Sequence, residues 1–170
     1  FDLAFETPSS FNIQHWRLVK VVDKDLRTKI RAAAWDQAQV TDASLLLILC
    51  ADVKAWEKNP VQYWELAPKP VSEILVPLIH DFYFEKPELQ RDEAMRSVGL
   101  MAQTIMLSVK AMGYDSCPMI GFDSKKVAEL IALPVDHVIG MMLTIGKSTK
   151  EAHSKGGYLP RQLTVIENRF

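Results

Sequence analysis

Cysteine is scarce in this 170-residue chain: there are two, Cys50 and Cys117. Two thiols form at most one bridge, and neither neighbourhood, Leu-Ile-Leu-Cys or Asp-Ser-Cys-Pro, has metal-ligand or disulfide-scaffold spacing. Buried free thiols are expected, which suits a reducing cytoplasm. Charge is nearly balanced, at net −1, so there is no electrostatic case for nucleic acid or an anionic membrane surface. No apolar run reaches transmembrane length; the longest clear one, Leu45 to Ala51, is strand-sized. No secretory signal is visible. The chain also lacks a Gly-x-Ser-x-Gly elbow, a phosphate-binding Walker loop, a Rossmann glycine fingerprint and an HExxH helix. His80, His137 and His153 stand apart without ligand spacing, so no metal is expected.

Hydrophobic residues make up 48%, enough for a packed core, and the length suits one domain over residues 1–170. Trp16 to Val22 is valine-rich and reads as a strand, after which Asp23 can cap a helix carrying Leu26, Ile30 and Ala33 or Ala34. The polar Asp36 to Val40 lies at or just beyond that helix end, and Ser44 to Cys50 reads as a buried strand. Ser72 to Phe84 suggests a helix with Ile74, Leu75, Leu78 and Phe82 on one side, either a pocket cap or a surface excursion. Asp92 to Met112 carries Val98, Met101, Ala102, Ile105, Met106 and Val109 at helical spacing, with Gly113 as its stop. That face serves either the core or a dimer seam. Asp115 to Met119 reads as a short strand, Ser124 to Leu133 as a helix, and Val138 to Ile145 as a strand with Gly140 a bulge or close-packing point. The tail is expected to turn at Gly156-Gly157. Strands and helices interleave, giving an α/β or α+β domain.

Three polar segments could carry chemistry. Pro8-Ser9-Ser10-Phe11-Asn12-Ile13-Gln14-His15-Trp16 places hydroxyls and amide side chains just before a strand. It is either a polar loop or a holder for a flat, polar-edged ligand. Asp36-Gln37-Ala38-Gln39 offers an acceptor and a donor, or a solvated helix end. Gly113-Tyr114-Asp115-Ser116-Cys117-Pro118-Met119-Ile120-Gly121-Phe122-Asp123 ends a strand on a glycine, where backbone can approach a planar ligand, or else forms an ordinary corner.

The first segment resembles the Pro-Ser-Ser-x-Asn-x-Gln-Pro/His-Trp signature of the nitroreductase family, and the third resembles that family's Gly-x-Asp-x-x-Pro-x-x-Gly-Phe segment. The resemblance runs from Pro8 to Phe170. It implies an α+β fold, a mixed and mostly antiparallel sheet flanked by helices, in an intertwined homodimer with flavin mononucleotide (FMN) at the interface. It implies ping-pong transfer from NADH or NADPH through flavin N5 to a nitroaromatic, quinone or similar acceptor, with no catalytic protein residue and no nicotinamide fold of its own. The implied cofactor residues are Pro8, Ser9, Ser10, Asn12, Gln14, Asp36, Gln39, Ile120, Gly121 and Lys155, with Arg161 in reserve for the phosphate. Asp36 stands where relatives have Asn, and Ile120 where many have Glu. Gly121→Val is expected to displace the flavin ring. The family's basic N-terminal segment is expected to precede Phe1, since residues 1–5 read as a helix end. A cytoplasmic location is expected from the free thiols, and the other functional reading is a flavin-binding or sensing protein without turnover.

Overall fold

Apolar runs bounded by polar turns become strands, and residues at helical spacing cover both faces of the sheet they form. The computed structural model describes residues 1–170. Strands β1 (Trp16–Val21), β2 (Leu45–Asp52), β3 (Asp115–Met119) and β4 (His137–Gly146) pair in the order β1-β2-β4-β3, antiparallel throughout. Helices α1 (Asp2–Phe5), α2 (Lys24–Ala33), α3 (Gln39–Asp42), α4 (Ala55–Lys58), α5 (Lys69–Tyr83), α6 (Pro87–Ala111), α7 (Ser124–Leu130) and α8 (Arg161–Thr164) surround it. Short 3-10 turns cover Ser10–Asn12 and Pro60–Trp64. This is the α+β class expected. No helix is long and apolar enough to cross a membrane.

Strand β2 is central and buried from Leu46 to Asp52, so its sequence is a continuous apolar run. Its alternate side chains feed two cores. Leu47, Leu49 and Ala51 meet Val98, Met101, Ala102 and Ile105 of α6. Leu46, Ile48 and Cys50 meet Ile30, Ala34 and Val127 on the α2 and α7 side. Asp23 caps α2 by accepting from the Leu26 amide at 2.6 Å, and Asp123 caps α7 by accepting from the Lys126 amide at 3.0 Å. Gly140 is the extra residue where β2 Leu49 pairs with Met141 and Cys50 with Ile139.

Several expectations change. Helix α6 begins five residues early, at Pro87, whose ring presets the first helical angle. Helix α7 stops at Leu130, and Ala132 turns to φ +50°. On α5 it is Ile79 and Tyr83 that are buried; Ile74, Leu78 and Phe82 stay exposed. No turn forms at Gly156-Gly157: the chain from 147 to 160 has no regular structure and is exposed. Both thiols are free, but only Cys50 is buried, and burial pushes its pKa up to about 11. Cys117 is exposed because β3 is an edge strand.

Candidate functional site

The loop before β1 is built on strained backbone. Phe11, Asn12 and Gln14 have φ of 50°, 57° and 52°, costly for residues with a Cβ. Packing and hydrogen bonds hold them there. Ile13 is buried with Trp56, Ile79 and Tyr83. Ser9 Oγ accepts from the Gln14 amide at 2.9 Å, Gln14 Nε2 donates to Asn12 O at 3.2 Å, and Asn12 Nδ2 donates to Tyr63 O at 2.9 Å. His15 Nδ1 lies 3.1 Å from Ser97 Oγ on α6. Arg17 Nη1 donates to Gln14 O at 3.0 Å while its Nη2 meets the buried Asp52 carboxylate at 3.1 Å. Pro8 and Asn12 are exposed, and Ser9, Ser10 and Gln14 are half-buried.

Asp52, Asp136 and His137 come close enough to share an ion. Lys58 Nζ already stands 2.8 Å from both carboxylates, so an ammonium supplies the positive charge there. This is an ion-pair network at the sheet end.

The second corner joins the end of α2 to the end of β3. Trp35 and Asp36 take φ of 53° and 56°, which swings Gln37 back towards the sheet. Gln37 Nε2 donates to Ala34 O at 3.1 Å and to Gly121 O at 2.8 Å, and Gln37 Oε1 accepts from Gln39 Nε2 at 3.2 Å. Gln39 Nε2 also lies 3.7 Å from Met119 Sδ. The Phe122 amide donates to Ile120 O at 3.1 Å, and the Asp123 amide to Ala33 O at 2.8 Å. The Gly121 amide has no acceptor in the chain. Ile120 beside it is 81% exposed, so its side chain belongs to no core. Asp36 is exposed and pairs with Arg31 Nε at 2.7 Å.

Thus Gln39, Ile120 and Gly121 are gathered at one corner. The Ser9–Gln14 loop is not gathered with them. It leads into Trp16 on one edge strand, whereas Gly121 follows Met119 on the other. Three interstrand steps and a three-residue offset put those strand ends about 17 Å apart. Lys155 joins neither group: it is exposed, with Nζ 4.3 Å over the Tyr158 ring. The expected collision at Gly121 also changes, since a Cβ there first meets Trp35 Cζ3 at 2.8 Å.

Two features escaped sequence reasoning. Gln37 sits in a polar run with no periodicity to mark it. Next to Gln39, a cleft of about 1060 Å³ is lined by Lys110, Lys147 and Lys150 together with Asp42, Asp115 and Glu151, charges of both signs brought together only by the fold, with Lys110 Nζ 2.7 Å from Asp115. A free backbone donor and a side-chain amide at one corner fit the polar edge of a planar heterocycle.

The Nitroreductase family model matches residues 1–147. The chain is 55% identical over 154 residues to Protein DrgA of Synechocystis sp., covering 91% of this chain and 73% of that protein. It is 35% identical over 164 residues to a Bacillus subtilis protein named as NAD(P)H nitroreductase MhqN, covering 93% and 80%. A crystal structure from Exiguobacterium sibiricum, named as a nitroreductase in complex with FMN, superposes with a TM-score of 0.88 at 26% identity, covering 96% of this chain and 81% of that one. The match takes in every element from α1 to β4, both loop corners included, and the chain belongs to the nitroreductase family.

Proposed function

We propose that this chain is a cytoplasmic FMN-dependent oxidoreductase that takes electrons from NADH or NADPH and delivers them to nitroaromatics, quinones or similar electron-poor acceptors. The observation that carries it is the corner after β3, where the free Gly121 amide stands in a turn clamped to the Gln37 and Gln39 segment. A flavin ring presents an acceptor at N5 and a polar pyrimidine edge, so a backbone donor and a side-chain amide match it. The FMN in the Exiguobacterium structure and the NAD(P)H in the MhqN name support the cofactor and the reductant. FMN, when bound, supplies two-electron chemistry at N5.

The protein's own part is to bind and orient. Gly121, with Ile120, directs a donor at N5. Gln39 donates to the O2 or N1 edge. Asp36, its charge paired with Arg31, accepts from N3–H. Lys155, three residues beyond the cleft lining at Ala152, serves the phosphate, with Arg161 in reserve. Pro8, Ser9, Ser10, Asn12 and Gln14 reach the ring of a second copy, which the separation of the two corners favours. Exposed Ile74 and Leu78 on α5 and Leu100 and Leu107 on α6 give that copy an apolar surface to cover.

The nicotinamide and the acceptor use one flavin face in turn. Initial rates measured against NAD(P)H at several acceptor concentrations are therefore expected to give parallel double-reciprocal lines. Intersecting lines contradict the ping-pong order. Bound FMN with no turnover leaves a flavin-binding or sensing protein.

A further inference from the structure

We propose that Gln37 is the positioning residue that sets the Gly121 amide at the flavin, an inference that rests on the FMN reading above. Glycine has no side chain to fix its torsions, so a glycine donor is well aimed only if its neighbouring peptides are held. Here they are held from outside the turn. The peptide after Gly121 is pinned at both ends: Gln37 Nε2 donates to its carbonyl at 2.8 Å, and its Phe122 N–H donates to Ile120 O at 3.1 Å. Two further features brace the same turn at the end of α2: the Asp123 amide donates to Ala33 O at 2.8 Å, and the Trp35 ring closes over Gly121 so that an added Cβ would stand 2.8 Å from its Cζ3. With that peptide fixed, the Gly121 N–H is left as a preorganised donor, the arrangement that favours a reacting centre without reorganisation.

Gln37 also joins the two halves of the corner. Its amide nitrogen serves Ala34 O and Gly121 O, and its oxygen accepts from Gln39 Nε2 at 3.2 Å. One side chain thereby couples the donor aimed at N5 to the donor aimed at the pyrimidine edge. It touches no cofactor atom in this role; it acts through Gly121 and Gln39.

The test uses Gln37→Glu, which keeps the size and the acceptor but donates nothing at neutral pH, and Gln37→Met, which keeps the length and removes all polarity. In ligand-free protein both variants are expected to shift the Gly121 amide resonance and leave resonances of the Ser9–Gln14 loop in place. With FMN, both are expected to raise the dissociation constant about tenfold, the effect of one or two hydrogen bonds. Both are also expected to slow flavin reduction at saturating FMN and NAD(P)H, which a purely structural role does not touch when melting temperatures match the wild type. An unmoved Gly121 resonance contradicts the clamp whether or not FMN binds. Unchanged FMN affinity and reduction rate in a flavin-binding wild type contradict the positioning role. A wild type that takes up no FMN contradicts the functional reading instead, and the resonance alone then judges the clamp.

Discussion

Burial keeps the His15 imidazole neutral. Its pKa falls from 6.5 to about 4 because desolvation outweighs the attraction of Asp52. The unfolded chain takes up a proton near pH 6.5 that the folded chain refuses until about pH 4, so stability is lost on acidification through that window. The whole difference corresponds to about 3 kcal/mol. Urea unfolding at pH 7 and pH 4.5 is expected to show a loss that His15→Gln largely lacks; equal losses in both proteins contradict this. Asp136 titrates lower, held at about 2 by Lys58 and His137, and its loss falls below pH 3.8. At this scale the sequence was readable only where residue type and spacing coincide. Gly121 and Gln39 stood out as candidates. Gln37 did not, and neither did the positive φ at Trp35 and Asp36, since nothing in a tryptophan or aspartate announces a left-handed backbone imposed by tertiary contacts.

Elements were legible where burial enforces a period. The run read as a strand from Ser44 to Cys50 forms β2 at Leu45–Asp52, and the apolar face from Val98 to Ile105, read as core or dimer seam, packs in the core. Boundaries set by local chemistry were less so: Pro87 starts α6 where the apolar periodicity had not begun. On α5 the apolar Ile74, Leu78 and Phe82 face outward, in keeping with a cap or a surface excursion, while the buried Ile79 and Tyr83 carried no signal of their own. Gly140 shows a close approach that sequence only hinted at. A Cβ there meets Val98 Cγ1 at 2.6 Å, and a β-branched side chain on a helix has little freedom to move aside. Gly140→Ala is expected to destabilise by about 1–3 kcal/mol. Adding Val98→Ala to that variant should cost less than Val98→Ala alone costs in the wild type, measured as a double-mutant cycle in denaturant. Strict additivity contradicts the contact.

At the scale of the whole molecule, the two candidate corners stand at opposite edges of one sheet. If each site takes its loop from one copy and its Gly121 corner from the other, lesions in the two corners complement each other. Asn12→Trp blocks the loop and Gln39→Glu places a charge at the pyrimidine edge; each alone is expected to abolish most FMN binding. Random mixing of unfolded chains followed by refolding should restore about a quarter of the sites, one intact site in each mixed dimer. No recovery contradicts the shared site. The central claim is that this chain holds a flavin and that NAD(P)H reduces it. The most direct measurement is the visible absorption spectrum of the FMN-reconstituted protein before and after anaerobic addition of NADH or NADPH. Flavin bands that stay with the protein through desalting and bleach on addition of reductant are the expected result. Protein that retains no flavin, or flavin that neither reductant bleaches, contradicts it.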